Sequence, residues 1–214
     1  MYKYQRFWDR IANTYAKSLI KDKKAFNNML ENIREYVKES DTVFDFGCGT
    51  GTYSIAIADK VKSIHATDIS EKMLAIAGER ANNSGIDNII FEHLGVFDTK
   101  LQPESYSVVL AFNILHLQQD LNKVIHRINE LLIPGGLLIS KTACVGEKYT
   151  LASFFMKPFS KLGILPHINC FSFSELRASI NQNQMKILET KENHNDSMEY
   201  FIVAQKCTMR HGVG

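Results

Sequence analysis

The sequence predicts a doubly wound α/β protein, in which a parallel sheet flanked by helices ends in an antiparallel strand pair and two helices precede the first strand. Three observations lead to this. Five short apolar runs alternate with helical patterns between residues 42 and 142. The fourth, Tyr106 to Phe112, is almost wholly apolar, as a strand buried on both faces must be. After residue 142 the alternation stops, and one helix and two final strand-like runs complete a seven-stranded sheet.

The elements follow in order. Phe7, Ile11 and Tyr15 recur on one helical face. Phe26, Met29, Leu30, Ile33 and Val37 do so again after the polar break at Lys21 to Lys24, so residues 6 to 38 read as two helices. The first strand, Thr42 to Phe46, stops at Gly47-Cys48-Gly49-Thr50-Gly51, and a helical pattern restarts from Tyr53 to Ala58. The second, Ser63 to Thr67, is stopped by Asp68-Ile69-Ser70. Ser70 has the chemistry of an N-cap for a helix through Asn82, which Asn83-Ser84-Gly85 closes. Asn88 to Leu94 and Tyr106 to Phe112 are the third and fourth strands. A helix from Gln118 to Leu132 ends at Pro134-Gly135-Gly136, and Leu137 to Thr142 makes the fifth strand. An aromatic-rich stretch, 143 to 171, precedes a helix from Ser174 to Asn181. Met185 to Lys191 and Tyr200 to Gln205 are the last strands, joined by Asn193-His194-Asn195-Asp196 and followed by a tail.

At 214 residues, with 45% apolar and 22% charged residues, the chain can build one real core. A net charge of +2 supplies no field that would advertise a nucleic-acid or acidic-membrane partner. The opening MYKYQRFWDR is not a signal peptide, and no apolar run approaches a membrane span, so a soluble cytoplasmic protein is expected. Cys48, Cys144, Cys170 and Cys207 lie far apart, without metal-ligand spacing, and read as reduced, buried or half-buried packing residues.

The strongest chemical signal is Asp45-Phe46-Gly47-Cys48-Gly49-Thr50-Gly51 at a strand-to-helix turn. Glycines there let a ligand lie against bare main chain. The spacing is not G-x-G-x-x-G, and no Gly-Lys-Ser/Thr follows, so neither a dinucleotide turn nor a P-loop is present. Asp45 repels a phosphate but suits a ligand carrying an ammonium and a sulfonium. At the end of the next strand, Asp68 can accept both hydroxyls of a ribose; otherwise it is an acid flanking a helix start.

VFDFGCGTG followed by HATDIS resembles the class I S-adenosylmethionine-dependent methyltransferases, which have a Rossmann-like sheet. Phe7-Trp8-Asp9-Arg10-Ile11-Ala12-Asn13-Thr14-Tyr15 and Leu132-Ile133-Pro134-Gly135-Gly136 resemble the ubiquinone and menaquinone biosynthesis type. The resemblance implies that S-adenosylmethionine is the cofactor and S-adenosylhomocysteine the product. It implies that Gly47, Gly49 and Gly51 pass under the methionine moiety with Asp45 near its ammonium, that Asp68 holds the ribose, and that Ile69 and Met73 pack on the adenine. Asn113 is implied to lie beside the methionine portion. Many relatives have Gly-Asp after the third strand, whereas this chain has Gly95-Val96-Phe97-Asp98. Either backbone groups at Val96 and Phe97 line the adenine site, which is the favoured alternative, or Asp98 reaches it. On this resemblance the chain divides into an N-terminal helical lid (1–40), a cofactor-binding core (41–143), a substrate lid (144–173), a last helix and strand pair (174–206) and a tail (207–214).

Methyl transfer needs alignment and exclusion of water more than a base. His116, just past the fourth strand, has the pKa range to take a proton from a hydroxyl, phenol or ammonium acceptor, or else it packs or caps. Tyr4 and Tyr15 are either lid residues over the cofactor or core. Leu151 to Phe173 should carry substrate identity. Phe154, Phe155, Met156 and Phe159 suit a hydrophobic or aromatic acceptor, and Lys157 and Lys161 an acidic group on it. The same aromatics can instead close the core, form a homodimer interface or rest on a membrane surface, with Pro158 and Pro166 limiting any long helix. The expected function is methyl transfer to a small molecule by a monomer or homodimer. Absence of an Asn-Pro-Pro-aromatic sequence after the fourth strand argues against nucleic-acid methylation. The alternative is an inactive S-adenosylmethionine-binding module or partner subunit.

Overall fold

The computed structural model describes residues 2–18, 23–147, 166–192 and 198–208. The strands are β1 (Thr42–Phe46), β2 (Ser63–Thr67), β3 (Ile89–Glu92), β4 (Tyr106–Phe112), β5 (Leu132–Ala143), β6 (Met185–Glu192) and β7 (Glu199–Lys206). They form one sheet in the order β3-β2-β1-β4-β5-β7-β6. The first five run parallel, and β7 inserts antiparallel between β5 and β6. The helices are α1 (Gln5–Ser18), α2 (Lys23–Arg34), α3 (Thr52–Ile57), α4 (Glu71–Asn83), α5 (Leu121–Leu131) and α6 (Phe173–Gln182). The predicted class and topology are therefore observed.

Two apolar layers sandwich the sheet. On one face Phe44, Val109 and Ala111 meet Val124, Ile125 and Ile128 of α5 and Leu176 and Ile180 of α6. On the other, Val43, Val108 and Leu110 meet Ile33 of α2 and Ile57 of α3. Alternate residues of β1 and β4 point to opposite layers, which is why these strands carry unbroken apolar runs. Hydrogen-bonded caps set the helix starts. The Ser70 side chain accepts from the Met73 amide as expected, Asp120 accepts from Lys123, and Ser172 and Glu175 form a reciprocal capping box.

Several boundaries differ from the sequence expectation. β5 begins at Leu132, not Leu137, because Leu132 pairs with Tyr106 before the ladder resumes at Val108 and Leu137. Pro134-Gly135-Gly136 is thus an irregularity inside the strand rather than the connection before it. Gly136 is needed there, since a Cβ would lie 3.0 Å from the carbonyl oxygens of Ile133 and Ser107. The helix expected from Gln118 starts at Leu121, where Asp120 caps it. Leu115–Leu117 forms a separate 3-10 turn. β3 is shorter than 88 to 94, and the Asn88 side chain instead donates to the carbonyls of Ala58 and Val61. Cys207 is exposed, unlike the packing role expected of it, because β7 has ended at Lys206.

The strand order reverses between β1 and β4, so the connections leaving their carboxyl ends run to opposite sides and leave a crevice there. No helix among the described residues is long and apolar enough to cross a membrane. Ile128 is fully buried and Leu188 is 45% exposed. Ile128→Ala should therefore cost about 2–5 kcal/mol, and Leu188→Ala no more than about 0.5 kcal/mol. Urea unfolding of both variants checks this, and equal midpoints would contradict the core assigned here.

Candidate active site

The turn after β1 is pinned to the end of β2. The amides of Gly47 and Cys48 both donate to the Thr67 carbonyl at 2.9 Å, and the Gly49 amide donates to Asp68 Oδ2 at 2.9 Å. The Ser70 amide donates to Asp68 Oδ1 at 2.8 Å. The Asp68 carboxylate thus joins the glycine turn to the start of α4. Its pKa is raised by burial, against the lowering effect of these amide bonds.

The three glycines have left-handed φ values of 72°, 55° and 70° but different surroundings. A Cβ on Gly51 would lie 3.0 Å from that of Ala77, so this glycine lets α3 and α4 approach each other. At Gly49 a Cβ would meet only the Tyr15 ring, at 3.4 Å, so its bare backbone faces open space.

That space is a cavity of about 670 Å³. Gly47, Gly49, Asp68, Ile69, Met73, Val96, Phe97 and Asn113 line it together with Tyr15 of α1, whose ring stands over Gly49. Nine of the expected site residues thus come together here. Asn113 holds a left-handed φ of 54° at the end of β4, with its amide donating to the Lys141 carbonyl at 2.8 Å. Asparagine tolerates this conformation, which turns the chain out of β4 at the cavity edge. Both alternatives for the third-strand loop reach the cavity, since Val96, Phe97 and Asp98 all line it. The Val96 side chain is 3% exposed, and its carbonyl is engaged by Arg127 at 3.3 Å.

Three expected residues do not line the cavity. Gly51 faces α4. Asp45 lies beneath the turn, 3% exposed, and accepts a short hydrogen bond from the Ser54 hydroxyl. Burial pushes its pKa up to about 7, with Ser54 opposing and the charge of Asp68 adding to the rise. His116 sits half-buried on the 3-10 turn, off the cavity wall. Its Nδ1 is buried with no hydrogen-bond partner among the described residues, and burial lowers its pKa, so the ring is neutral at pH 7. Phe154, Phe155, Met156, Lys157, Pro158, Phe159 and Lys161 lie outside the described residues.

The cavity also recruits residues not singled out from sequence: Tyr2, Lys3, Trp8, Gln118 and Lys123. Trp8 was within reach, since it stands seven residues before Tyr15, on the same helical face, and the two rings meet edge-to-face at 6.4 Å. Tyr4, expected as a lid residue, lines the cavity as well.

Asp45 makes stability depend on pH with a definite sign. Between about pH 4 and pH 7 the folded state keeps a proton that the unfolded chain has lost, so this residue's contribution to stability falls as pH rises through that window. Asp45→Asn should therefore raise the melting temperature of ligand-free protein at pH 8, by roughly 2–4 °C per kcal/mol regained. The advantage should fade toward pH 4. Melting curves at pH 4.5, 6 and 8 test this, and a pH-independent difference would contradict it.

The chain is 32% identical over 124 residues to the ribosomal protein L11 methyltransferase of Thermotoga petrophila, covering 54% of this chain and 44% of that protein. It is 27% identical over 173 residues to the malonyl-[acyl-carrier protein] O-methyltransferase of Hamiltonella defensa, covering 79% of this chain and 62% of that protein. The chain thus spans about half the length of these curated relatives. Its fold matches that of the geranyl diphosphate C-methyltransferase of Streptomyces coelicolor A3(2), solved with Mg²⁺, geranyl diphosphate and S-adenosylhomocysteine. The TM-score is 0.72 at 15% identity, over 91% of this chain and 83% of that one. The family model described as a methyltransferase domain matches residues 37–200, from the end of the N-terminal helices into β7, and by that match the chain belongs to the methyltransferase domain family.

Proposed function

We infer that this chain transfers a methyl group from S-adenosylmethionine to a small acceptor with a hydrophobic or aromatic body. One observation carries the cofactor assignment: an acid held by two backbone amides stands beside an open glycine backbone in the lining of a large cavity. These residues fit a ligand that carries both a diol and a cation. Asp68 keeps lone pairs for two ribose hydroxyls after accepting its two amide bonds. Asp45 and Asp68 raise the local demand for positive charge, and neither forms a salt bridge with a Lys or Arg among the described residues. Ile69, Met73, Val96 and Phe97 make an apolar slot of the kind an adenine ring enters.

The bound cofactor supplies a methyl carbon already activated by positive sulfur, so the protein's work is alignment and exclusion of water. Gly47 and Gly49 let the methionine portion lie against the main chain. Tyr15 covers it, Asn113 borders it, and Asp45 acts on its ammonium through the field beneath the turn. For the acceptor, Tyr4, Trp8, Ile114, Leu117 and Pro166 give the remaining wall an aromatic and apolar character, which supports a hydrophobic small molecule. His116, three residues after Asn113, stands behind the wall formed by Ile114 and Leu117, so it serves as base only for an acceptor whose binding brings its ring into reach.

Calorimetric titration with S-adenosylmethionine and S-adenosylhomocysteine, with NADH as control, tests the cofactor; binding of NADH alone would overturn it. Asp68→Ala should weaken S-adenosylmethionine at least about tenfold through lost charge-assisted bonds. Gly49→Val should abolish binding, and a folded variant binding normally would remove the turn from the site. If His116 is the base, His116→Ala should lower kcat by about 10²-fold or more with cofactor affinity unchanged. An unaltered kcat excludes that role.

A further inference from the structure

We propose that Tyr2 belongs to the cofactor site: its phenol latches the N-terminal segment onto the loop after β3, and this latch sets how tightly and how long the cofactor is held. The proposal rests on the cofactor assignment above. The Gly95 amide donates to Tyr2 Oη at 2.9 Å. A Cβ on Gly95 would lie 3.2 Å from the Tyr2 ring, so the glycine provides the seat on which the ring rests. The Tyr2 ring also meets His93 edge-to-face, with centroids 5.3 Å apart. His93 Nε2 lies 3.0 Å from the Ile69 carbonyl oxygen, and Nδ1 lies 3.3 Å from the Glu71 carboxylate. One tyrosine therefore closes over both loops that form the adenine slot, the loop after β2 through His93 and the loop after β3 directly.

The segment behind Tyr2 packs along α4 and turns its aromatic residues to the cavity. In α1, Gln5 and Ala12 alone are fully buried among the residues whose side chains are described. Trp8 and Tyr15, with Tyr4 just before the helix, turn instead to the cavity. It is also tied to the start of α4 by polar contacts: Asp9 Oδ1 accepts from the Ser70 hydroxyl at 2.7 Å and from the Lys72 amide at 3.3 Å. A helix that lies along α4 and turns its aromatic side chains to an open cavity has part of its apolar face uncovered. A ligand filling that cavity supplies the apolar contact the helix lacks, so ligand binding and docking of the segment reinforce each other.

Titration calorimetry and stopped-flow dissociation of S-adenosylhomocysteine from wild type, Tyr2→Phe and Tyr2→Ala test this, with hydrogen exchange over residues 5–18. Tyr2→Ala should weaken binding about tenfold and Tyr2→Phe about threefold, mostly through faster dissociation, because a hydrogen bond and a ring contact are lost only from the closed state. Bound ligand should slow exchange across α1 in wild type, and less so in Tyr2→Ala. Tyr2→Ala with affinity and dissociation rate within twofold of wild type would overturn the latch alone. A wild-type protein that does not bind S-adenosylhomocysteine would overturn the cofactor assignment and the latch with it.

Discussion

The site depends on how the amides of one sharp turn are satisfied. A chain leaving β1 and entering α3 within a few residues pairs little of its own backbone beyond the Gly51 amide on the Cys48 carbonyl, and buried amides without partners are costly. Here the partners come from β2: the Thr67 carbonyl takes two amides and the Asp68 carboxylate takes Gly49. The turn is therefore only as well placed as the β1 and β2 pairing that brings Thr67 beside Phe46. The same carboxylate caps the entry to α4 through the Ser70 amide. One short side chain thus ties together a turn, a strand end and a helix start, and the cavity is lined by them.

Electrostatics complements this geometry. Two carboxyl groups lie within reach of each other's field, one buried beneath the turn with a single hydroxyl donor and the other lining the cavity. Neither is neutralised by a salt bridge among the described residues. Such an arrangement is costly for the empty protein and favourable for a bound cation, because the ligand's charge offsets what folding left uncompensated. Tyr15 is raised by burial and then by these same two acids, so it stays a neutral phenol and shields the site without adding charge.

Core and cover are built differently. The sheet and α5 meet through fully buried aliphatic side chains, whereas α1 lies along α4, tied to it through Asp9, and lays aromatic rings over the cavity. Dense packing favours one fixed arrangement, and an apolar face left partly uncovered permits opening.

The class of fold and the turn that lines the cavity were legible in the sequence, because each is a local signal: unbroken apolar runs for buried parallel strands, a glycine turn between strand and helix, and an acid one strand later. Nine of the expected site residues line one cavity for that reason. What lay beyond a local signal was decided by tertiary contact. Leu132 to Gly136 read as a helix end and a turn until Tyr106 offered a pairing partner, which drew the segment into β5. Asp45 and Gly51 carry the right chemistry for the turn, but the sharp reversal of the chain turns one beneath it and the other toward Ala77. Tyr2 could not be assigned, since its partner is a backbone amide 93 residues away that only the folded sheet brings within 2.9 Å. The sequence by itself determined which backbone could build the site; the tertiary structure decided which side chains reach it, because reach depends on distances between elements that no local pattern encodes.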